Sequence, residues 1–215
     1  MPKRENISMS VIRRLPRYYR FLNDLKKKGV TRVSSKELSA KMGFTASQIR
    51  QDLNCFGGFG QQGYGYIVEQ LCNEIGNILG VANGYKCILI GAGNLGQAIA
   101  THLSFETQGF QLVGIFDSNP RKVGTTLGNL VISDIQTLEE FCREQKPVMA
   151  VLCVPRAAVE RLSDKLYAMG IKNFWNFSHY DITMKYHDAI VENVHLNDSL
   201  MTLCYRISDQ SSRPD

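Results

Sequence analysis

An apolar run, Cys87-Ile88-Leu89-Ile90, leads straight into Gly91-Ala92-Gly93-Asn94-Leu95-Gly96 and then into a segment of helical periodicity. Few folds accept that join. In this G-x-G-x-x-G spacing the first glycine permits the tight turn, the second lets a phosphate approach the backbone, and the third lets helix and strand pack closely. The helix N-terminus adds free N–H groups and the positive end of the helix dipole, a seat for a pyrophosphate. A second strand, QLVGIF at 111–116, ends in Asp117, 21 residues beyond Gly96. A carboxylate there accepts both adenosine-ribose hydroxyls and repels a 2′-phosphate, so NADH and NAD+ are favoured over their phosphorylated analogues. Another nucleotide on the same glycine turn, such as a coenzyme A thioester, is the alternative.

The chain from residue 85 onward alternates strands and helices. Strands are expected at 87–90, 111–116, 148–154 and 173–177, and helices at 94–106, 134–144 and 156–169. That order predicts an α/β, Rossmann-type doubly wound parallel sheet over 85–195. A last helix, 196–207, carries Leu196, Leu200, Leu203 and Ile207 on one stripe, ahead of a polar tail at 208–215. The sheet faces are already supplied with helices, so this stripe is expected to dimerise the chain.

About 35 residues follow position 180, too few for a substrate domain. The histidines are His102, His179, His187 and His195; His179 in FSHYD has the alternative reading of a general acid or base, but one histidine beside a strand end is more often structural. Cys87 and Cys153 fall in expected buried strands, where a thiol is an inert packing group. The chain is therefore expected not to be an enzyme, a small NAD-dependent oxidoreductase being the alternative.

The first 60 residues carry 13 Lys and Arg against 4 Asp and Glu, whereas the rest carries 12 against 16. All the excess positive charge thus lies in an N-terminal module, as expected for a part that meets a polyanion. A helix is expected over 8–28, closed by Gly29 after three lysines. A second begins at Ser34, with Glu37 at capping-box spacing, and stops at Gly43. A third begins at Thr45, with Gln48 three residues on, and runs to Leu53. Two short helices joined by a glycine turn behind a longer one make a helix-turn-helix. The segment 56–66, FGGFGQQGYGY, suits the hairpin wing of a winged helix, the alternative being an interdomain linker. Residues 67–80 read as a further helix, closing a DNA-binding domain over 1–80. Its expected DNA-facing residues are Arg14, Arg17, Ser35, Lys36, Thr45, Ser47, Gln48, Arg50, Gln51, Gln62 and Gly63, with the helix 45–53 in the major groove.

Composition narrows the remaining classes. Apolar residues are 44% and charged residues 21%, the balance of a globular chain, and no apolar run reaches the roughly 18 residues of a membrane span. MPKRENISMS has no apolar h-region, so no secretory signal is expected. The six cysteines form no C-x-x-C pair, which argues against a zinc site and fits a reducing cytosol.

In the order and spacing of its motifs the chain resembles the Rex family of redox-sensing transcriptional repressors. The carriers are IRRLPRYYRFL (12–22), SSKELSAKMGFTASQIRQDL (34–53), the glycine-rich 56–66, GAGNLG (91–96), FDSNPRKVG (116–124), VPRAA (154–158) and VENVHL (191–196). The resemblance implies a bacterial homodimer whose C-terminal helices swap between subunits. It implies release from an inverted-repeat DNA operator by NADH, with NAD+ competing. It adds Val154 and Pro155 to the cofactor residues, assigns Arg50 and Asp52 to the recognition helix, and makes Arg20 part of a latch. In many members a second basic residue follows Arg50, where this chain has Gln51, and the wing arginine is here Gln62. The latch tyrosine and aspartate correspond to His102 and His195, so the latch lacks its anion and weak redox coupling is expected.

Overall fold

The computed structural model describes residues 7–57, 60–61 and 64–211, with backbone alone at 60, 61 and 211. The chain forms two compact units, 1–82 and 83–215.

In the first unit the expected long N-terminal helix is two: α1 (Met9–Ile12) and α2 (Leu15–Lys27). Pro16 lies in the first turn of α2, where its missing N–H costs nothing. After β1 (Arg32–Val33) comes α3 (Ser35–Met42), capped as its sequence demands: the Ser34 hydroxyl accepts from the Glu37 N–H and the Glu37 carboxylate accepts from the Ser34 N–H. Gly43, at φ +67°, ends α3 in the left-handed conformation that glycine adopts without a steric penalty. Helix α4 (Ala46–Asn54) follows, with the Thr45 hydroxyl accepting from the Gln48 N–H. The Gln48 side chain does not return to close a capping box. It turns to Asp52 instead.

The glycine-rich segment pairs as a wing. β2 (Gly60–Gln61) and β3 (Gly65–Ile67) are antiparallel, and β1 joins β3 on its other side. Helix α5 (Val68–Leu79) closes the unit. Leu15, Leu22, Leu38, Ile49, Leu71 and Ile75 are almost fully buried in one core. Each contributes roughly 1.5–3 kcal/mol, and together they fix α4 on α2, α3 and α5.

The second unit is a seven-stranded sheet in the order β10-β9-β8-β4-β5-β7-β6. Its strands are β4 (Tyr85–Ile90), β5 (Phe110–Asp117), β6 (Thr126–Leu127), β7 (Leu130–Asp134), β8 (Met149–Leu152), β9 (Asn173–Asn176) and β10 (Ile190–Asn193). All neighbours are parallel except β6, which forms an antiparallel hairpin with β7. The helices are α6 (Asn94–His102), α7 (Leu138–Gln145), α8 (Arg156–Ala168) and α9 (Leu196–Ser211). The β6–β7 hairpin and β10 have no counterpart among the expected strands. Both are short edge elements, with little apolar alternation to mark them. Chain order reverses direction at β4, with β5 on one side and β8 on the other, so a crevice opens beyond their C-terminal ends, the place where such sheets bind ligands.

No helix among the described residues is long and apolar enough to cross a membrane, and no cluster of three or more His, Cys, Asp or Glu there is arranged to hold a metal ion.

Candidate functional site

The crevice is built from the loop after β4. Gly91 sits at φ +100°, and a Cβ there would lie 2.5 Å from the Cys153 carbonyl oxygen and 2.7 Å from Val154 Cγ1. A Cβ on Gly96 would collide with the Gly91 carbonyl oxygen, so α6 packs against the strand end only with glycine there. Gly93 differs. Its φ is −71°, open to any residue, and a Cβ would meet nothing within 4 Å. Folding does not ask for a glycine at 93, whereas a phosphate closing on the backbone does.

Asp117 lies at the end of β5, with its side chain largely buried. Its Oδ2 accepts from the Ala92 N–H at 2.8 Å and its Oδ1 from the Asn119 N–H at 2.8 Å. Lys122 Nζ donates to the Ala92 carbonyl at 2.9 Å and stands 3.6 Å from Asp117 Oδ2. The carboxylate thus braces the glycine loop and keeps lone pairs for a further donor. Lys122 is the residue the motif reading missed. It is five residues past the acid, in a turn, and only the fold brings it back to the loop. Val154 and Pro155 follow β8 at the switch point, with Pro155 at the N-cap of α8. Asn94 and Leu95 are exposed at the start of α6.

Across the same end of the sheet, the His195 ring lies 5.0 Å from that of His179, and His195 Nδ1 is 3.5 Å from Asp198 Oδ2. His102 is exposed at the end of α6. Burial pushes the Cys87 and Cys153 thiols each up to about 12, so neither is a nucleophile near neutral pH.

The first unit presents a second candidate surface. Thr45, Ser47, Arg50 and Gln51 are exposed along α4, and Arg50 Nη1 donates to the Ser35 hydroxyl at 3.1 Å, while Lys36 is exposed on α3. Arg17 lies over the Phe44 ring at 5.0 Å, and Arg20 is exposed on α2. Arg14, expected to face DNA, has another partner: its Nε and Nη2 donate to the two oxygens of Asp52 at 2.6 and 2.7 Å. Gln62 and Gly63 lie outside the described residues.

The comparisons with known proteins agree with this geometry. A family model described as the N-terminus of a putative DNA-binding protein matches residues 6–54, and one described as a CoA binding domain matches 82–180. The redox-sensing transcriptional repressor Rex of Thermoanaerobacter pseudethanolicus is 54% identical over 98% of this chain and 93% of its own. The chain belongs to the Rex family. Rex of Clostridium perfringens is 51% identical over 97% of this chain and 98% of its own. Among solved structures, the Rex-family repressor RSP with NAD+ and operator DNA matches at TM-score 0.87, with 52% identity over 97% of this chain and 95% of its own. RSP with NADH matches at TM-score 0.86, with 50% identity over 95% of this chain and 96% of its own.

Proposed function

We propose that this chain is a transcriptional repressor whose hold on operator DNA is set by the NADH/NAD+ balance. The observation that carries the reading is Gly93: nothing in the fold crowds it, yet it sits where a dinucleotide pyrophosphate meets the start of α6. Gly91 through Gly96 seat the phosphates, Asp117 takes the adenosine ribose, and Val154 and Pro155 flank the crevice. The exposed face of α4, with Ser35, Lys36, Thr45, Ser47, Gln48, Arg50 and Gln51, reads DNA, and the wing with Gln62 and Gly63 adds backbone contacts. Arg20, His102 and His195 form the latch between the two activities, and the protein works in the cytoplasm.

Dimerisation follows from α9. Every residue from Leu196 to Ser208 is exposed, Leu196, Leu200 and Leu203 by 52–65%. An apolar groove of about 870 Å³ opens where the strands begin, lined by Leu103, Phe105, Phe110, Met149, Trp175 and Ile190. An exposed apolar stripe on α9 and an open apolar groove fit a homodimer that exchanges α9. Two copies of α4 then require an inverted-repeat operator.

The match to a CoA binding domain model favours a coenzyme A thioester as the second reading. One experiment separates the two. A duplex enriched by the protein from a randomised pool is titrated at fixed salt with NADH, NAD+ or acetyl coenzyme A added. Loss of binding with NADH alone is expected, and loss with acetyl coenzyme A alone would establish the second reading.

A further inference from the structure

Asp52 is on the recognition-type helix, yet its side chain is 1% exposed. A carboxylate so buried is stable only when its lone pairs are used. All four are. Oδ2 accepts from Arg14 Nε at 2.6 Å and from the Tyr18 hydroxyl at 2.6 Å, while Oδ1 accepts from Arg14 Nη2 at 2.7 Å and from Gln48 Nε2 at 2.9 Å. Burial opposes the charge, but these donors together hold the carboxyl below the usual carboxylate range. Arg14 and Tyr18 belong to α2, so they anchor the carboxylate from behind. Gln48 is half-buried on α4, one turn before Asp52, beside the exposed Ser47 and Arg50.

The charge has a consequence for Gln48. An ionised carboxylate can only accept, so it fixes which end of the carboxamide turns inward. Nε2 must face Asp52, because Oε1 there would be repelled. Donation through the hydrogen anti to Oε1 leaves one N–H and the whole of Oε1 side by side and held in orientation. Of the base edges in the major groove, only adenine offers a donor beside an acceptor, N6–H₂ and N7. Guanine shows acceptors alone, cytosine a donor, and thymine an acceptor beside a methyl group.

We propose that Asp52 is a positioning residue for base recognition, presetting the Gln48 carboxamide to read one adenine in each half-site. The assignment rests on the DNA-binding reading above. Arg14 is correspondingly neutralised by Asp52.

The test is selection of duplexes from a randomised pool by the full-length wild-type chain, Gln48→Ala and Asp52→Asn, with folding followed by thermal melting. The wild type is expected to enrich adenine at one position per half-site by roughly tenfold or more. Both variants should lose that preference at the same position, to below about twofold, and keep the others. Asp52→Asn retaining the adenine preference, or losing every preference equally, would overturn the assignment, the latter by making Asp52 a structural tie alone. If Asp52→Asn does not fold, NMR of the wild type decides: a restrained Gln48 carboxamide with one shifted N–H supports the proposal, and freely exchanging amide protons refute it. A wild-type chain that enriches no duplex at all removes the DNA-binding reading, and the assignment with it.

Discussion

Two aspartates show how one side chain serves two ends. Asp117 keeps lone pairs beyond its bonds to Ala92 and Asn119, so it can meet a ligand, whereas Asp52 has none left over. The folded-state pKa of Asp52 is lowered, so its stabilising contribution is present above the unfolded carboxylate value near 3.9 and is lost as pH falls through the folded value. Thermal melting should therefore show the first unit weakening below about pH 4, and Asp52→Asn should flatten that dependence. The three glycines make a sharper pair of predictions. Gly96→Ala forces a Cβ into the Gly91 carbonyl and should destabilise the fold by about 1–3 kcal/mol or more. Gly93→Ala meets nothing, so its melting temperature should hold while NADH affinity, followed by fluorescence titration, collapses. Equal melting temperatures for the two variants would contradict the roles given to them.

At the scale of elements, what was legible in the sequence had a local cause. The capping box at Ser34 and Glu37, the αL stop at Gly43 and the strand-glycine-helix join are written within a few residues, and they fold as read. The expected helix over 8–28 is instead α1 and α2, a break that was not legible because only Pro16 marks it locally. The β6–β7 hairpin and β10 are held by sheet pairing that no short window reveals. Lys122 and the Arg14–Asp52–Tyr18–Gln48 network escaped for the same reason: their partners are 30, 38 and 34 residues away, apart from Gln48 at four. The stripe on α9 was legible by period, and its meaning depends on a partner. Truncation after Val194 should give monomers or aggregates by light scattering, because it removes the helix whose leucines stand exposed. A well-folded dimer from that truncation would refute the exchange.

The whole molecule divides its charge as it divides its work. Residues 1–60 carry the excess of Lys and Arg, and the remainder is acidic. Affinity for duplex DNA should therefore fall steeply with salt, while affinity for the dinucleotide, set by hydrogen bonds and a helix N-terminus, should fall far less. Coupling between the two sites is a free energy and is reciprocal: whatever factor NADH imposes on DNA binding, DNA must impose on NADH binding. In the proposed latch, the resemblance matches His102 and His195 to a tyrosine and an aspartate, and Asp198 Oδ2 stands 3.5 Å from His195 Nδ1. The coupling factor is accordingly expected to stay below about 100-fold, roughly 2.7 kcal/mol. The direct measurement is the dissociation constant of NADH for the full chain, with and without a saturating selected duplex, at fixed salt. The account predicts weaker NADH binding in the presence of the duplex, by the same factor that NADH weakens duplex binding. An NADH affinity indifferent to bound DNA would contradict it.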